Sequence, residues 1–286
     1  MIHGDMNRKR QISLQKALSI IKMHGGTTLL STGITGDDAR LAKAAVDAGA
    51  RMLEPNHPAV ALARGYQGVT NMHDAEAIRH EISIEQMAEV TAGVRKVVGP
   101  EIFITVGIPG GFAEVLPRPL SEEDVRLIAE AGADGLHVHK SDLDDLREVV
   151  ELAHANGLLV DAYVAHPADL HPFGIPAETT EEVRDTAKKM EAIGVDMIGL
   201  MTGMSYEGVE AGQIPQVIKE RLTALVTSVN TPTLAEGGIN LQNFRAFKET
   251  GVNILVVGTA FDDIARQAVR DTVRVFLQDE AEQDQA

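Results

Sequence analysis

The sequence has no cysteine and no tryptophan, and only three tyrosines and seven phenylalanines among 286 residues. Without cysteine there can be no disulfide, iron–sulfur cluster, thiolate zinc site or cysteine nucleophile. So few aromatics leave no stacking platform for single-stranded nucleic acid. Basic residues are also scarce: 26 Lys and Arg stand against 42 Asp and Glu, a formal net charge of -16. Nucleic acid and anionic membrane surfaces are held by clustered positive charge, so neither is an expected partner. No apolar run approaches the ~18–20 residues of a membrane span. The first residues are basic and then amphipathic, without the continuous apolar stretch and small-residue cleavage site of a secretory signal. The expectation is a cytoplasmic protein whose length suits one large α/β domain.

A recurring pattern fills the chain. A helical pattern ends in a small-residue turn and passes at once into a short apolar run: Asp47-Ala-Gly-Ala-Arg-Met-Leu53, Glu130-Ala-Gly-Ala-Asp-Gly-Leu136, Ala192-Ile-Gly-Val-Asp-Met-Ile198 and Glu249-Thr-Gly-Val-Asn-Ile-Leu255. Glycine ends a helix in the left-handed conformation and turns the chain into a buried strand. Strand candidates fall at 28–31, 52–55, 102–106, 136–139, 158–164, 197–201, 233–236 and 254–257. Helix starts are signalled by Thr35-x-x-Asp38, Ser121-x-x-Asp124, Ser141-x-x-Asp144 and Thr179-x-x-Glu182, with Asn240 and Asp262 as caps for the last two helices. Eight strands alternating with helices predict a single-domain (β/α)8 barrel, a TIM barrel spanning 1–286. Residues 1–26 would form an N-terminal helical cap, with its helix at 13–23, over the barrel bottom. The long connection 56–99 would be irregular over 57–80 and helical over 84–98, and the acidic tail 278–286 would fray.

Chemistry in such a barrel sits at the C-terminal ends of the strands. Ala235-Glu-Gly-Gly-Ile-Asn240 and Val256-Val-Gly-Thr-Ala260 follow the last two strands. Glycine lets backbone N–H groups approach a phosphate, and a helix N-terminus adds a positive dipole end. Gly237, Gly238, Gly258 and Thr259 are therefore the candidate phosphate site; the plainer reading is that these glycines only make tight turns.

On these same motifs the last quarter of the chain resembles the ribulose-phosphate-binding barrel superfamily. Within it the nearest likeness is to N-acetylmannosamine-phosphate 2-epimerases, which share the form AEG-x-I…VVG-x-A. The resemblance implies a phosphorylated sugar as ligand and a proton-transfer role for Glu236. The family's third-strand lysine has no counterpart in Ile-Phe-Ile-Thr-Val-Gly-Ile-Pro-Gly-Gly (102–111).

Alternation along the strands sorts the remaining candidates. Val160, Ala162 and Val164 suit the helix layer, which turns Asp161 and Tyr163 inward. The same parity turns His137, His139, Glu54 and Glu236 inward. The pore would then carry a ring of Glu54, His137, His139, Asp161 and Glu236, either a satisfied polar network or a set of acids and bases. Paired carboxylates and imidazoles suit proton transfer next to a carbonyl, with Glu236 or Asp161 as base and His139 or Glu54 as acid. His137, His139 and Asp161 are also a donor set for a divalent metal. Lys140, at the end of the fourth strand, could serve a Schiff base, although parity places it opposite His139. The leading expectation is a sugar-phosphate isomerase or epimerase. An aldolase or lyase using Lys140 or the metal donors, and a non-catalytic sugar-phosphate-binding protein, stand beside it. The expected partners are a small phosphorylated substrate and, for the long 56–80 stretch, either Arg64 on a lid or a second copy in a homo-oligomer.

Overall fold

The computed structural model describes residues 2–112, 118–169, 171–203 and 212–283. Its strands are β1 Thr28–Ser31, β2 Met52–Leu53, β3 Phe103–Phe112, β4 Gly135–His139, β5 Leu159–Ala165, β6 Ile175–Pro176, β7 Met197–Met201, β8 Thr233–Glu236 and β9 Ile254–Val257. Every pairing is parallel, in the order β4-β3-β2-β1-β9-β8-β7-β5, and β4 pairs with β5 to close the ring. Two-residue β6 adds to the edge of β5 outside the ring. The protein is a closed eight-strand parallel α/β barrel.

The helices are α1 Ile2–Met23, α2 Ile34–Asp37, α3 Ala39–Asp47, α4 His57–Ala63, α5 Met72–Ile78, α6 Ile84–Val98, α7 Glu122–Glu130, α8 Leu143–Ala155, α9 Thr180–Ala192, α10 Gln216–Val226, α11 Phe244–Lys248 and α12 Thr259–Gln283. Ser121 and Thr179 close the predicted capping boxes of α7 and α9. Elsewhere the caps shift. Asp38, not Thr35, caps α3, because its carboxylate reaches the Arg40 and Leu41 N–H groups. Asp142, not Ser141, caps α8 in the same way. Asn240 accepts from Gln242 and Asn243 in the turn before α11. Asp262 lies inside α12 and accepts the Ile34 N–H, so it caps α2 across the fold.

The core has two layers. Outward strand residues such as Leu53, Val138, Val160, Ile198 and Ala235 pack with the helices. Inward ones, Leu30, Met52, Phe103, Leu159, Met197 and Leu234, fill the lower pore. Ala17, Ile20 and Ile21 of α1 pack into that layer, and the helix is longer than 13–23. Asp134 ties α1 to the barrel through Ser13 and Lys16 and also binds Arg95.

Three expectations are corrected. Residues 57–80 are not irregular; they form α4, α5 and a 3-10 turn, separated by Gly65 and Gly68 at positive φ. The third strand does not end at residue 106, because β3 runs on past a register shift until Phe112 pairs with His139. The tail does not fray from 278, since α12 continues to Gln283; residues 284–286 lie outside the described residues. Among the described residues no helix is long and apolar enough to cross a membrane.

Candidate active site

The upper pore is polar. Neighbouring strands hold its groups at matched heights, with His137 of β4 opposite Asp161 of β5 and Glu236 of β8 opposite Met201 of β7. Parity places Glu54, His137, His139, Asp161 and Glu236 inward as expected, and the first four are buried. His137 Nδ1 lies 2.7 Å from Asp161 Oδ1, and Thr105 Oγ1 donates to Asp161 Oδ2 at 2.6 Å. His139 Nδ1 lies 2.6 Å from the Phe173 carbonyl. The two Nε2 atoms face each other at 2.5 Å.

These contacts fix the protons. A carbonyl can only accept, so His139 carries its hydrogen on Nδ1 and offers a lone pair on Nε2. Burial and the neighbouring positive charge of His137 hold His139 well below the usual histidine range, so it is neutral. Burial also opposes charge on His137, but Glu54, Asp161 and Glu236 outweigh it and raise that imidazole to about 10. His137 is therefore protonated on both nitrogens, donating to Asp161 and to His139.

The carboxylates are under-satisfied. Asn56 Nδ2 donates to Glu54 Oε1 at 2.5 Å, but Glu54 Oε2 has no hydrogen-bond partner among the described residues. Among the described residues Glu236 Oε2 and the Tyr163 hydroxyl also lack a partner in good hydrogen-bond geometry, although the two side chains are close enough to interact with each other. Glu54 Oε1 and Glu236 Oε2 lie 3.6 and 3.7 Å from His137 Nε2. Burial is the main cause that pushes Glu54 up to about 8, offset in part by His137. Burial likewise raises Glu236. An unsatisfied buried carboxylate oxygen costs roughly 1–3 kcal/mol or more, so these two side chains are candidates to contact a further group.

That group fits a divalent ion. Ligand atoms of His137, His139 and Glu236 all lie within 4.8 Å of one another. The outer nitrogen of each histidine is tied to a carboxylate or a carbonyl, the arrangement that orients metal-binding imidazoles. Asp161, expected as a ligand, bonds the far nitrogen of His137, and the carboxylate grouped with the two Nε2 atoms is Glu236. Two imidazoles with a carboxylate suit Zn²⁺, Mn²⁺ or Fe²⁺ better than Mg²⁺, which prefers oxygen.

Sequence reasoning did not single out Thr105, Phe112 or Phe173. Thr105 was within reach, since parity on β3 places it two residues from inward Phe103. The Tyr163 ring stacks on His139 at 4.8 Å with 2° between planes. It fits because Gly199 opposes it on β7; a Cβ there would come within 2.2 Å of the ring. Gly199→Ala is expected to lower stability by ~1–3 kcal/mol, the usual cost of overpacking, as read by urea unfolding. An unchanged midpoint would show that Tyr163 is free to shift.

Other candidates lie apart from the ring. Lys140 is buried toward the helix layer, where Asp145 and Glu148 are its charged neighbours, and burial lowers its pKa. Arg64 is exposed at the end of α4. Helices α4 and α5 instead help to wall a cavity of about 80 Å³, lined by His57, Glu76, Arg79 and His171. Arg79 pairs there with Glu76 at 2.8 Å. His57 packs edge-on against Phe112, which in turn touches His139.

At the phosphate candidate, Gly237 has φ +111° and approaches the Gly203 carbonyl so closely that a Cβ would lie 2.3 Å away. Thr202 Oγ1 braces the same loop by donating to the Glu236 and Gly237 carbonyls. Gly238 also has positive φ, Gly258 lies against Thr32, and Thr259 opens α12.

A family model described as histidine biosynthesis protein matches residues 83–264. Among solved structures the chain is similar to 2,3-dimethylmalate lyase, a PEP mutase/isocitrate lyase superfamily member (15% identity, 92% of this chain and 88% of that one, TM-score 0.62). It is similar to phosphonopyruvate hydrolase in complex with oxalate and Mg++ (17% identity, 95% and 87%, TM-score 0.63). It is also similar to a chain of the tryptophan synthase a2b2 complex from Pyrococcus furiosus (13% identity, 82% and 88%, TM-score 0.59). At these identities the likeness shows the fold.

Proposed function

The chain belongs to the histidine biosynthesis protein family, a ribulose-phosphate-binding barrel family, and from that premise we propose that its pore is the active site of a metal-assisted carbon–carbon lyase. The substrate would be a small phosphorylated hydroxy-carbonyl compound. The observation that carries this reading is the facing pair of imidazoles, His137 and His139, with the Glu236 and Glu54 carboxyl groups 3.7 and 3.6 Å from His137 Nε2. His137, His139 and Glu236 would hold the ion, which when bound would polarise a substrate carbonyl as a Lewis acid.

The chain's own residues supply the rest. Asp161, steadied by Thr105, fixes the His137 ring, and the Phe173 carbonyl fixes His139. Glu54, with a pKa raised to about 8, is matched to proton transfer near neutral pH. It takes the hydroxyl proton as the carbon–carbon bond breaks and returns it to the carbon that keeps the electron pair. Gly237, Gly238, Gly258 and Thr259 would hold the substrate phosphate through backbone N–H groups. No lysine is among the ring residues, which favours this route over a Schiff base. The lyases and the Mg++-bound hydrolase among the structural neighbours support a lyase reading. The isomerase reading, with the narrower epimerase likeness, rests on the two C-terminal motifs and Glu236.

The test is a panel of phosphorylated 3-hydroxy-carbonyl compounds, incubated with protein and Zn²⁺ or Mn²⁺ in deuterated buffer with a carbonyl-trapping reagent. Two trapped or released fragments are expected. Deuterium uptake into intact substrate, without fragments, would replace the lyase with the isomerase.

Ion binding should also release protons. His137 carries a proton on Nε2 up to about pH 10, and that nitrogen must lose it to become a ligand. Lowering the pH below that value therefore favours the protonated, non-ligating form, and affinity should weaken. Calorimetric titration in buffers of different ionisation enthalpy should count at least one proton released per ion at pH 7. Affinity that does not change with pH would remove His137 from the ligand set.

A further inference from the structure

The cavity of about 80 Å³ beside the ring is walled by side chains that the proposed chemistry does not use: His57 of α4, Glu76 of α5, Arg79 and His80 of the 3-10 turn Arg79–Glu81, and His171. A barrel needs one helix between successive strands, and between β2 and β3 that helix is α6. Helices α4 and α5 and the turn are additions, and they supply most of the cavity wall. His57 is fully buried, and Glu76 and Arg79 are each 7% exposed. Arg79 donates to the Glu76 carboxylate at 2.8 Å and to the Glu76 carbonyl at 2.7 Å. Both ring nitrogens of His57 and Nε2 of His171 lack a partner in good hydrogen-bond geometry among the described residues, although the Gly107 backbone lies close to His57. A buried ion pair gives little stability that apolar side chains of the same volume would not give, and buried imidazoles without good partners cost free energy. Four such side chains around one cavity are better accounted for by a ligand than by packing.

The charge in the cavity selects the ligand. Burial, with Arg79 as a second cause, holds His57 well below the usual histidine range, and burial also lowers His171, so both imidazoles are neutral near pH 7. Burial raises Glu76 to about 7 against the pull of Arg79, so near neutral pH it is ionised only in part. Arg79 keeps its charge. The cavity therefore carries net positive charge, with neutral donors and acceptors on its other walls. Phe112 joins it to the ring: its side chain packs on His57 and on His139, each at 4.6 Å between centroids, and lies 5.1 Å from the Arg79 guanidinium. A group bound beside Arg79 thus lies one aromatic side chain away from the imidazole pair. β3, which carries Phe112, stands four places from β8 in the closed ring, on the side opposite the Gly237–Gly238 loop.

We propose that this cavity is a binding site for a carboxylate group, anchored by Arg79 and completed by the ring nitrogens of His57 and His171. A planar monoanion matches the fork of a guanidinium. A dianionic phosphate would meet the Glu76 carboxylate with only one guanidinium to balance both. The carboxylate can belong to the end of the substrate remote from the phosphate loops or to a separate small acid, and the recognising chemistry is the same for either.

The test is saturation-transfer NMR on the methyl group of acetate with the metal-free full chain, which reads the cavity whether or not the lyase reading holds. Acetate should bind, and acetamide, its uncharged isostere, should bind at least ~10-fold more weakly, as should acetate to Arg79→Gln. Glu76→Gln keeps the shape and removes the competing carboxylate, so at pH 8 acetate should bind it more tightly than wild type. The groups facing Glu76 are Arg79, His80, His57 and His171 around the cavity and His137 and Glu236 in the pore. From pH 8 to pH 6 wild-type affinity should rise as Glu76 gains its proton, and Glu76→Gln should lose that part of the rise. Wild type that binds no acetate, or acetate binding that Arg79→Gln leaves unchanged, overturns the proposal. Equal affinity in Glu76→Gln and wild type at pH 8 also overturns it, and decides the matter if Arg79→Gln fails to fold. Inorganic phosphate that displaces acetate at a lower concentration than acetate itself needs overturns the carboxylate assignment. Phosphorylated 3-hydroxy-carbonyl compounds with a terminal carboxylate then identify the source. Displacement of acetate by these and not by their amides assigns the site to the substrate's own carboxylate. Acetate that stays bound beside them assigns it to a separate acid.

Discussion

Replacing His139 with alanine is expected to abolish turnover and to weaken divalent-ion binding by at least ~100-fold, the upper range of loss that changes behind a ligand already cause. The ring is built so that His139 can do little else. Its Nδ1 hydrogen is committed to the Phe173 carbonyl, and its Nε2 lone pair faces His137 Nε2. Removing it leaves the His137 proton without an acceptor and the ion without one of its two nitrogens. Asp161→Asn separates ligand from support. It should weaken ion binding by about 10–100-fold, less than the alanine change, because Asp161 lies on the far side of the ring from Nε2. Both are read by calorimetric titration of Zn²⁺ or Mn²⁺ together with a turnover assay. Equal ion affinity in His139→Ala and wild type would show that the imidazole pair is only a hydrogen-bonded filling of the pore.

Glu54→Gln should cut kcat by ~10²–10⁴-fold, the usual contribution of a general base, while ion affinity changes by less than about tenfold. Glutamine keeps the bond to Asn56 and the shape but cannot accept a proton. Burial raises Glu54 to about 8. The base form therefore grows as the pH rises through that value, so wild-type kcat should climb toward pH 8 and level off above it. The variant should lose that limb. A variant that keeps both the rate and the pH dependence would move the proton-transfer role to another residue, with Glu236 next in line.

Much of this architecture is legible in the sequence because parallel strands buried on both faces force strict alternation. Leu136 and Val138 could only face helices, so His137 and His139 could only face the pore, and the same logic placed Asp161, Glu54 and Glu236. Alternation gives the face of a residue, not its partner. Asp161 looked like a metal ligand until its height opposite His137 put its carboxylate on Nδ1, leaving Glu236 to approach Nε2. The orientation of each ring depends on Thr105 and on a carbonyl at Phe173, and a backbone carbonyl has no signature in sequence. Residues 57–80 were misread because Gly65, Gly68 and Asn71 signal turns, while the short helices between them are held by packing against the barrel.

The central claim is that His137, His139 and Glu236 surround an ion. A crystal grown with Zn²⁺ or Mn²⁺ and measured at the metal absorption edge tests it most directly. The expected result is one anomalous peak in the pore, about 2.0–2.2 Å from both Nε2 atoms and a Glu236 oxygen, with the two nitrogens moved apart from their 2.5 Å contact. A saturating soak that leaves no peak there, with the two imidazoles still hydrogen-bonded to each other, would contradict it.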